Sequence, residues 1–95
     1  MTREQYILLK IMEEAAEVQQ QCSKWIRFGS EFHRPSDGKS NELLLQEEWS
    51  DLMCAMQKLI DHGSIRTDWD MDRQYEASEK FEKYYELSKE LGLVK

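Results

Sequence analysis

The chain has 95 residues, which is enough for a single domain over residues 1–95 with a thin core. It contains 19 acidic and 13 basic side chains, and a formal net charge of −6 disfavours binding to a nucleic acid polymer, since phosphate neutralisation requires lysine and arginine. No apolar run is long enough for a signal peptide or a membrane span, so we expect no membrane partner and a cytoplasmic location.

The first predicted helix runs from about Arg3 to Ile26 or Phe28. Thr2 and Gln5 have the form of a capping box, and Gly29 is the expected stop. Cys22 and Cys54 have no partner at metal-binding spacing, so we expect two buried, reduced thiols. The apolar residues of this helix recur at helical spacing and predict one buried face, made of Leu8, Ile11, Met12, Ala15, Val18, Cys22 and Ile26.

The segment FGSEFHRPSDGKS, from Phe28 to Ser40, predicts a loop because it contains two glycines and the only proline of the chain. It is long for a connection between antiparallel helices. Its length fits a lid over a site as well as it fits a plain linker.

Two further helices are predicted after this loop. The second begins near Ser40 or Asn41 and runs to about His62, and the third runs from about Asp70 to Leu91 with Thr67 and Asp70 as a possible cap. Together the three segments predict an all-α helical bundle that oligomerisation completes. The predicted apolar stripes are Leu45, Trp49, Leu52, Met56, Leu59 and Ile60 on the second helix, and Tyr75, Phe81, Tyr84 or Tyr85, and Leu91 on the third.

Two acidic strings lie on the first and second helices, Glu13-Glu14-Ala15-Ala16-Glu17 and Glu47-Glu48-Trp49-Ser50-Asp51. Residues three apart share a helix face, so Glu14 pairs with Glu17 and Glu48 pairs with Asp51. Both pairs border apolar stripes, and packing of those stripes would bring the carboxylates together at a cost in repulsion that a cation offsets. Oxygen ligands suit Mg²⁺, with Mn²⁺ as a substitute. Acids that only solvate the helix surfaces remain the alternative at this point.

Other metal and phosphate sites lack their signatures. Zinc would require histidine or cysteine at a fitting spacing. A di-iron bundle would require Glu-x-x-His, but Ser30 precedes His33 by three residues and Leu59 precedes His62. No GxxxxGK[ST] string is present, so a P-loop is excluded.

Two segments of the sequence, EEAAEVQQQCSKWIRFG and LLQEEWSDLMCAMQKLI, contain Glu13-Glu14-x-x-Glu17 followed by Glu48-x-x-Asp51. This arrangement resembles the EExxE…ExxD signature of the MazG-like all-α NTP pyrophosphohydrolases, and the resemblance covers nearly the whole chain. It implies a homodimer or homotetramer in which Glu14, Glu17, Glu48 and Asp51 hold Mg²⁺, with Glu13 supporting the ligands or orienting water. It also implies hydrolysis of a nucleoside triphosphate between the α and β phosphates to a monophosphate and pyrophosphate.

A triphosphate substrate needs cationic and aromatic partners. Lys24, Arg27 and Lys58 lie two or three turns beyond the acidic strings and are the candidates for phosphate binding, with Lys24 on the face of Glu17. Trp25, Phe32 and His33 are the candidates for contact with the base. The competing hypothesis is a non-catalytic, acidic helical adaptor.

Overall fold

The computed structural model describes residues 1–66 and 70–95, and within these ranges the chain forms three helices and no strand. The helices are α1 (Arg3–Phe28), α2 (Asn41–Asp61) and α3 (Met71–Glu90). The prediction of an all-α fold is therefore confirmed. None of the helices in the described ranges has the length and apolarity needed to cross a membrane.

The helices begin at the capping residues expected from the sequence. The Thr2 hydroxyl accepts a hydrogen bond from the backbone N–H of Gln5, and the Gln5 side chain accepts one from the backbone N–H of Thr2, which completes the capping box. Ser40 caps α2 and Asp70 caps α3 through their side-chain oxygens. Thr67, the other residue expected at the start of the third helix, lies outside the described residues.

Helices α1 and α2 pack against each other as an antiparallel pair. The residues that face the partner helix recur at steps of three or four, which is the spacing of a helix–helix seam. The seam is apolar toward the open end of the pair, acidic in its middle and polar beside the connecting loop. It consists of Ile7, Ile11, Glu14, Val18 and Gln21 on α1, and of Asn41, Leu44, Glu48, Leu52, Ala55 and Leu59 on α2.

The buried face of α1 differs from the predicted one. Met12 and Ile26 are 68% and 84% exposed, and the expectation that Cys22 and Cys54 are buried is wrong, since both are exposed. Positions Glu14 and Gln21 explain the difference, because a count of apolar residues passes over the polar members of the seam. On α2, Leu59 of the predicted stripe is buried, whereas Trp49 is exposed.

Polar contacts join α1 to α2 at both ends of the seam. Beside the loop, the Gln21 side-chain amide donates to Asn41 Oδ1 at 2.9 Å, and the Asn41 amide donates to the Gly29 carbonyl at 2.9 Å. At the open end, the Ser64 hydroxyl donates to a carboxylate oxygen of Glu4 at 2.6 Å. Gln21 and Asn41 are 5% and 3% exposed, so on folding their amides lose hydrogen bonds to water and form one with each other.

The loop of residues 29–40 folds as a compact turn. Gly29 begins it with a φ of 89°, a backbone conformation that glycine adopts without strain. The Arg34 backbone N–H donates to the Lys39 carbonyl at 2.8 Å, and the Arg34 guanidinium pairs with Asp37. The Lys39 ammonium pairs with Glu47 at 2.9 Å and so attaches the loop to α2.

Helix α3 packs against neither α1 nor α2 over the part of the chain that the structure describes. Its predicted apolar stripe exists, but every residue of it is exposed. An amphipathic helix is stabilised mainly by burying that stripe against another element. The single chain is therefore a two-helix hairpin plus a separate helix whose apolar face is Tyr75, Phe81, Tyr84, Tyr85 and Leu91.

Replacement of Gln21 tests the polar contact beside the loop. Gln21→Ala leaves Asn41 Oδ1 buried without its donor, and we expect a loss of about 2 kcal/mol in the free energy of unfolding. The neighbouring Gln20 is exposed, so Gln20→Ala should change that free energy by no more than about 0.5 kcal/mol. Urea denaturation followed by circular dichroism measures both values. Equal losses in the two variants would contradict the assignment.

Candidate metal centre

Three carboxylates meet in the middle of the α1–α2 seam. Glu14 and Glu17 lie on successive turns of α1, and Glu48 lies opposite them on α2; one oxygen of each is within 4.8 Å of the other two. Glu14 and Glu48 are half-buried, while Glu17 is exposed. Glu14 was expected at the edge of the apolar stripe, but it takes a seam position because the stripe itself is rotated from the predicted one.

The electrostatic cost of bringing these carboxylates together is greatest at Glu14 and Glu48, the two that occupy seam positions. The Oε2 atoms of Glu14 and Glu48 are buried and have no hydrogen-bond partner among the described residues. Burial, followed by the charges of Glu17 and Asp51, raises the pKa of Glu14. The pKa of Glu48 rises to about 7, first because its protonated form hydrogen-bonds to Glu17, then because of burial and the surrounding negative charges.

The two other acids predicted for the site lie outside this three-carboxylate cluster. Asp51 comes one turn after Glu48, its charge acts on both Glu14 and Glu48, and it lines the same cavity as Glu14. Glu13 instead forms an ion pair with Lys10 at 3.0 Å. The structure thus brings together three of the four predicted metal ligands, with Asp51 adjacent.

The donor set fits a hard divalent cation. All the donors are carboxylate oxygens, the ligands that Mg²⁺ and Mn²⁺ prefer. Two of the oxygens are buried and unpartnered, and a bound cation would satisfy them. Glu14, Glu17 and Glu48 would hold the cation, and Asp51 lines the same cavity as Glu14.

The predicted phosphate-binding residues fall on different sides of this cluster. Lys58 lines a cavity of about 440 Å³ together with Glu14 and Asp51. Lys24 and Arg27 are exposed on α1 toward the loop, where the Arg27 guanidinium lies 5.2 Å from the centroid of the neighbouring Phe28 ring. Only Lys58 of the three therefore lines a cavity that the carboxylates also line.

The predicted base-binding residues lie toward the loop end of the hairpin. Trp25 lines an apolar groove of about 700 Å³ with Trp49, and none of the clustered glutamates lines this groove. The Phe32 ring packs against Phe28 with a centroid distance of 5.3 Å. His33 is exposed, and its backbone pairs with Ser40.

Sequence reasoning missed three side chains that lie close to the acids. Arg3, Tyr6 and Lys10 line the cavity that contains Glu14. Their spacing of three, four and four residues, counted from Arg3 to Glu14, places them on one side of α1, and this pattern is visible in the sequence.

No family model matches the chain, and neither a curated protein nor a solved structure matches it. The resemblance to the MazG-like enzymes consequently depends only on the acidic motif and the sequence segments around it. The geometry of the carboxylate cluster is an independent observation, because it comes from the packing of α1 against α2.

The raised pKa of Glu48 predicts a pH dependence of the metal-free protein. The folded state holds a proton on Glu48 up to about pH 7, whereas an unfolded glutamate loses it near 4.5. Stability from this group is therefore complete below the unfolded value and is lost as the pH rises from 4.5 to about 7. Glu48→Gln mimics the protonated form and should be more stable than the wild type at pH 8 but not at pH 4.

Urea denaturation in EDTA across this pH range measures the difference between the two proteins. Glu79→Gln, an exposed glutamate on α3, is the matched control and should follow the wild type at every pH. A constant difference between Glu48→Gln and the wild type from pH 4 to pH 8 would show that Glu48 titrates normally.

Proposed function

We propose that this chain is a Mg²⁺-dependent nucleoside triphosphate pyrophosphohydrolase that serves in nucleotide-pool housekeeping in the cytoplasm. The observation that supports it is the convergence of Glu14, Glu17 and Glu48 from two helices, with one oxygen of each within 4.8 Å of the others. In addition, the Oε2 atoms of Glu14 and Glu48 are buried without partners among the described residues. Acids that only solvate helix surfaces are not expected at seam positions, because an apolar residue there would stabilise the packing of α1 against α2 better. The motif that contains these acids is the one that resembles the MazG-like enzymes.

The proposed reaction is an in-line displacement at the α phosphorus. A bond forms between the water oxygen and that phosphorus, and the bond from the phosphorus to the α–β bridging oxygen breaks. Pyrophosphate leaves with the electron pair, and the water proton passes to a carboxylate. Bound Mg²⁺ supplies charge neutralisation on the phosphates and acidifies water.

The residues of the chain divide the remaining work. Glu14, Glu17, Glu48 and Asp51 hold the cation and give the water its orientation, which in phosphoryl chemistry accounts for much of the rate. Glu13 acts indirectly in this proposal, because it pairs with Lys10. Lys58 is assigned to the leaving phosphates. Lys24 and Arg27, which lie toward the loop, are assigned to the phosphate nearest the nucleoside, and Trp25, Phe32 and His33 to the nucleoside.

We further propose that the active form is a homodimer or a homotetramer. The buried apolar residues of the described chain are Ile7, Leu44, Ala55 and Leu59, a small core for three helices. Burial on this scale does not offset the conformational entropy that the helices lose on folding. A second copy would cover the apolar face of α3.

The activity is tested with a panel of ribo- and deoxyribonucleoside triphosphates in millimolar Mg²⁺. We expect equimolar pyrophosphate and nucleoside monophosphate as products, measured by chromatography and a coupled pyrophosphate assay. Glu48→Gln and Asp51→Asn should each lower kcat by at least about a hundredfold, since both remove a carboxylate from the reacting centre. Glu79→Gln on α3 serves as the matched control and should retain full activity.

Three results would contradict this proposal. Orthophosphate as the first product would place the cleavage at another bond. Full activity in Glu48→Gln and Asp51→Asn would remove the carboxylates from the reaction. An absence of hydrolysis, together with a melting temperature that Mg²⁺ and nucleotide leave unchanged, would favour the non-catalytic adaptor, because a ligand of the native state must raise that temperature.

The oligomeric state is measured by sedimentation velocity at micromolar concentration, where we expect a dimer or a tetramer. The double variant Phe81→Glu and Tyr84→Glu places charge in the apolar face of α3 and should dissociate the assembly. Lys83→Glu adds a glutamate to α3 away from the cavity that Phe81 and Tyr84 line, and it should leave the assembly intact. A monomeric wild type would contradict the proposal.

A further inference from the structure

The cavity beside the carboxylates continues from them toward the open end of the hairpin. Glu14 and Asp51 lie at its inner end, and Arg3 and Lys58 lie at its outer end. Asp51 and Lys58 are seven residues apart on α2, which corresponds to about 10 Å along the helix axis. The cavity thus has a negative end and a positive end.

The charge of this cavity departs from that of the chain. The protein has a net charge of −6, yet Arg3, Lys10 and Lys58 come together from two helices over one cavity of about 440 Å³. Arg3 and Lys58 form no ion pair with another described residue, while Lys10 pairs with Glu13 at 3.0 Å. That pair is exposed, and an exposed pair contributes little to stability, so an anionic ligand can replace Glu13 as the partner of Lys10.

The side chains at the cavity also match phosphate in their hydrogen-bonding groups. Arginine offers a planar set of donors and lysine a compact charge, the two cations that recognise phosphate groups. The Tyr6 hydroxyl is a further donor in the same wall, and the Lys10 ammonium lies 5.7 Å from the centroid of the Tyr6 ring. Arg3, Tyr6 and Lys10, each with a side-chain donor, therefore follow one another along the α1 side of the cavity.

None of the three other depressions has this combination. The groove between Trp25 and Trp49 contains no lysine or arginine. The cavity along α3 contains Arg73 and Lys80, but none of the clustered carboxylates. A depression of about 480 Å³ on the other side of Asp51 contains a single cation, Lys39, which pairs with Glu47. Of these four depressions, only the one that contains Lys58 joins a group of cations to the candidate metal centre.

We propose that this cavity binds the β and γ phosphates of the substrate, with Arg3, Tyr6, Lys10 and Lys58 as the binding residues. This inference rests on the proposed hydrolase function and fixes the direction of the substrate within it. The α phosphate lies at the carboxylates, pyrophosphate leaves toward the open end of the hairpin, and the nucleoside lies toward the loop and Phe32. A nucleoside monophosphate leaves the cavity empty, so the site distinguishes a triphosphate from its product.

The test uses imidodiphosphate, a pyrophosphate analogue that resists hydrolysis, and calorimetric titration of the full chain in Mg²⁺. Lys58→Met and Arg3→Met should each weaken imidodiphosphate binding about tenfold, the loss expected when one charge-assisted hydrogen bond disappears. Both variants should keep the wild-type affinity for a nucleoside monophosphate. Lys58→Arg should keep the wild-type affinity for both ligands, and Lys89→Met on α3 is the matched control for loss of a lysine.

The outcomes separate this inference from the proposed function. If the wild type hydrolyses nucleoside triphosphates but Lys58→Met and Arg3→Met bind imidodiphosphate normally, the cavity assignment is wrong and the hydrolase proposal stands. If the wild type hydrolyses none of them, yet the two variants lose imidodiphosphate binding, the cavity is a pyrophosphate site and the hydrolase proposal is wrong. A wild type that does not bind imidodiphosphate in Mg²⁺ overturns the cavity assignment.

Discussion

Three carboxylates meet at a helix–helix seam, two of them at positions where most proteins place apolar side chains, and their mutual repulsion is the constraint under which the hairpin is built. The seam offsets this repulsion on either side of the acids. Ile7 and Leu59 are buried toward the open end, and the amides of Gln21 and Asn41 close the end beside the loop. The acids are thus held together by contacts in which they take no part.

This arrangement lowers the stability of the metal-free hairpin, because two carboxylate oxygens are buried without partners among the described residues. A protonated Glu48 relieves part of the repulsion in the metal-free protein, and its raised pKa is the sign of that relief. A divalent cation would relieve more, because it partners the buried oxygens of Glu14 and Glu48 at once. The negative charge that destabilises the metal-free cluster would therefore favour binding of a divalent cation such as Mg²⁺.

The sequence predicted the helices well because their ends depend on local chemistry. Thr2 with Gln5, Ser40 and Asp70 cap through contacts within a few residues, and such contacts need no knowledge of the fold. The pairing of Glu14 with Glu17 also follows from helical spacing.

The seam itself could not be found by counting apolar residues, because Gln21 and Glu14 belong to it while Met12 and Ile26 do not. The position of Asp51 just outside the cluster depends on how the two helices are rotated against each other. That rotation is a property of the packed pair, so local rules do not contain it. Whether α3 packs against α1 and α2 likewise depends on residues far apart in the chain, so local rules do not predict that it stays separate. The amphipathic pattern of α3 predicts only that the helix has an apolar face.

The loop between α1 and α2 closes into a turn at the base of its tip. Arg34 and Lys39 join their backbones across the base of the tip, and Asn41 fixes the end of α1 to the start of α2 below them. The tip at residues 35–37 is thus closed by its own backbone contact, while Lys39 at its base pairs with Glu47, the neighbour of Glu48. Insertions or substitutions confined to this tip should therefore leave the packing of α1 against α2 unchanged.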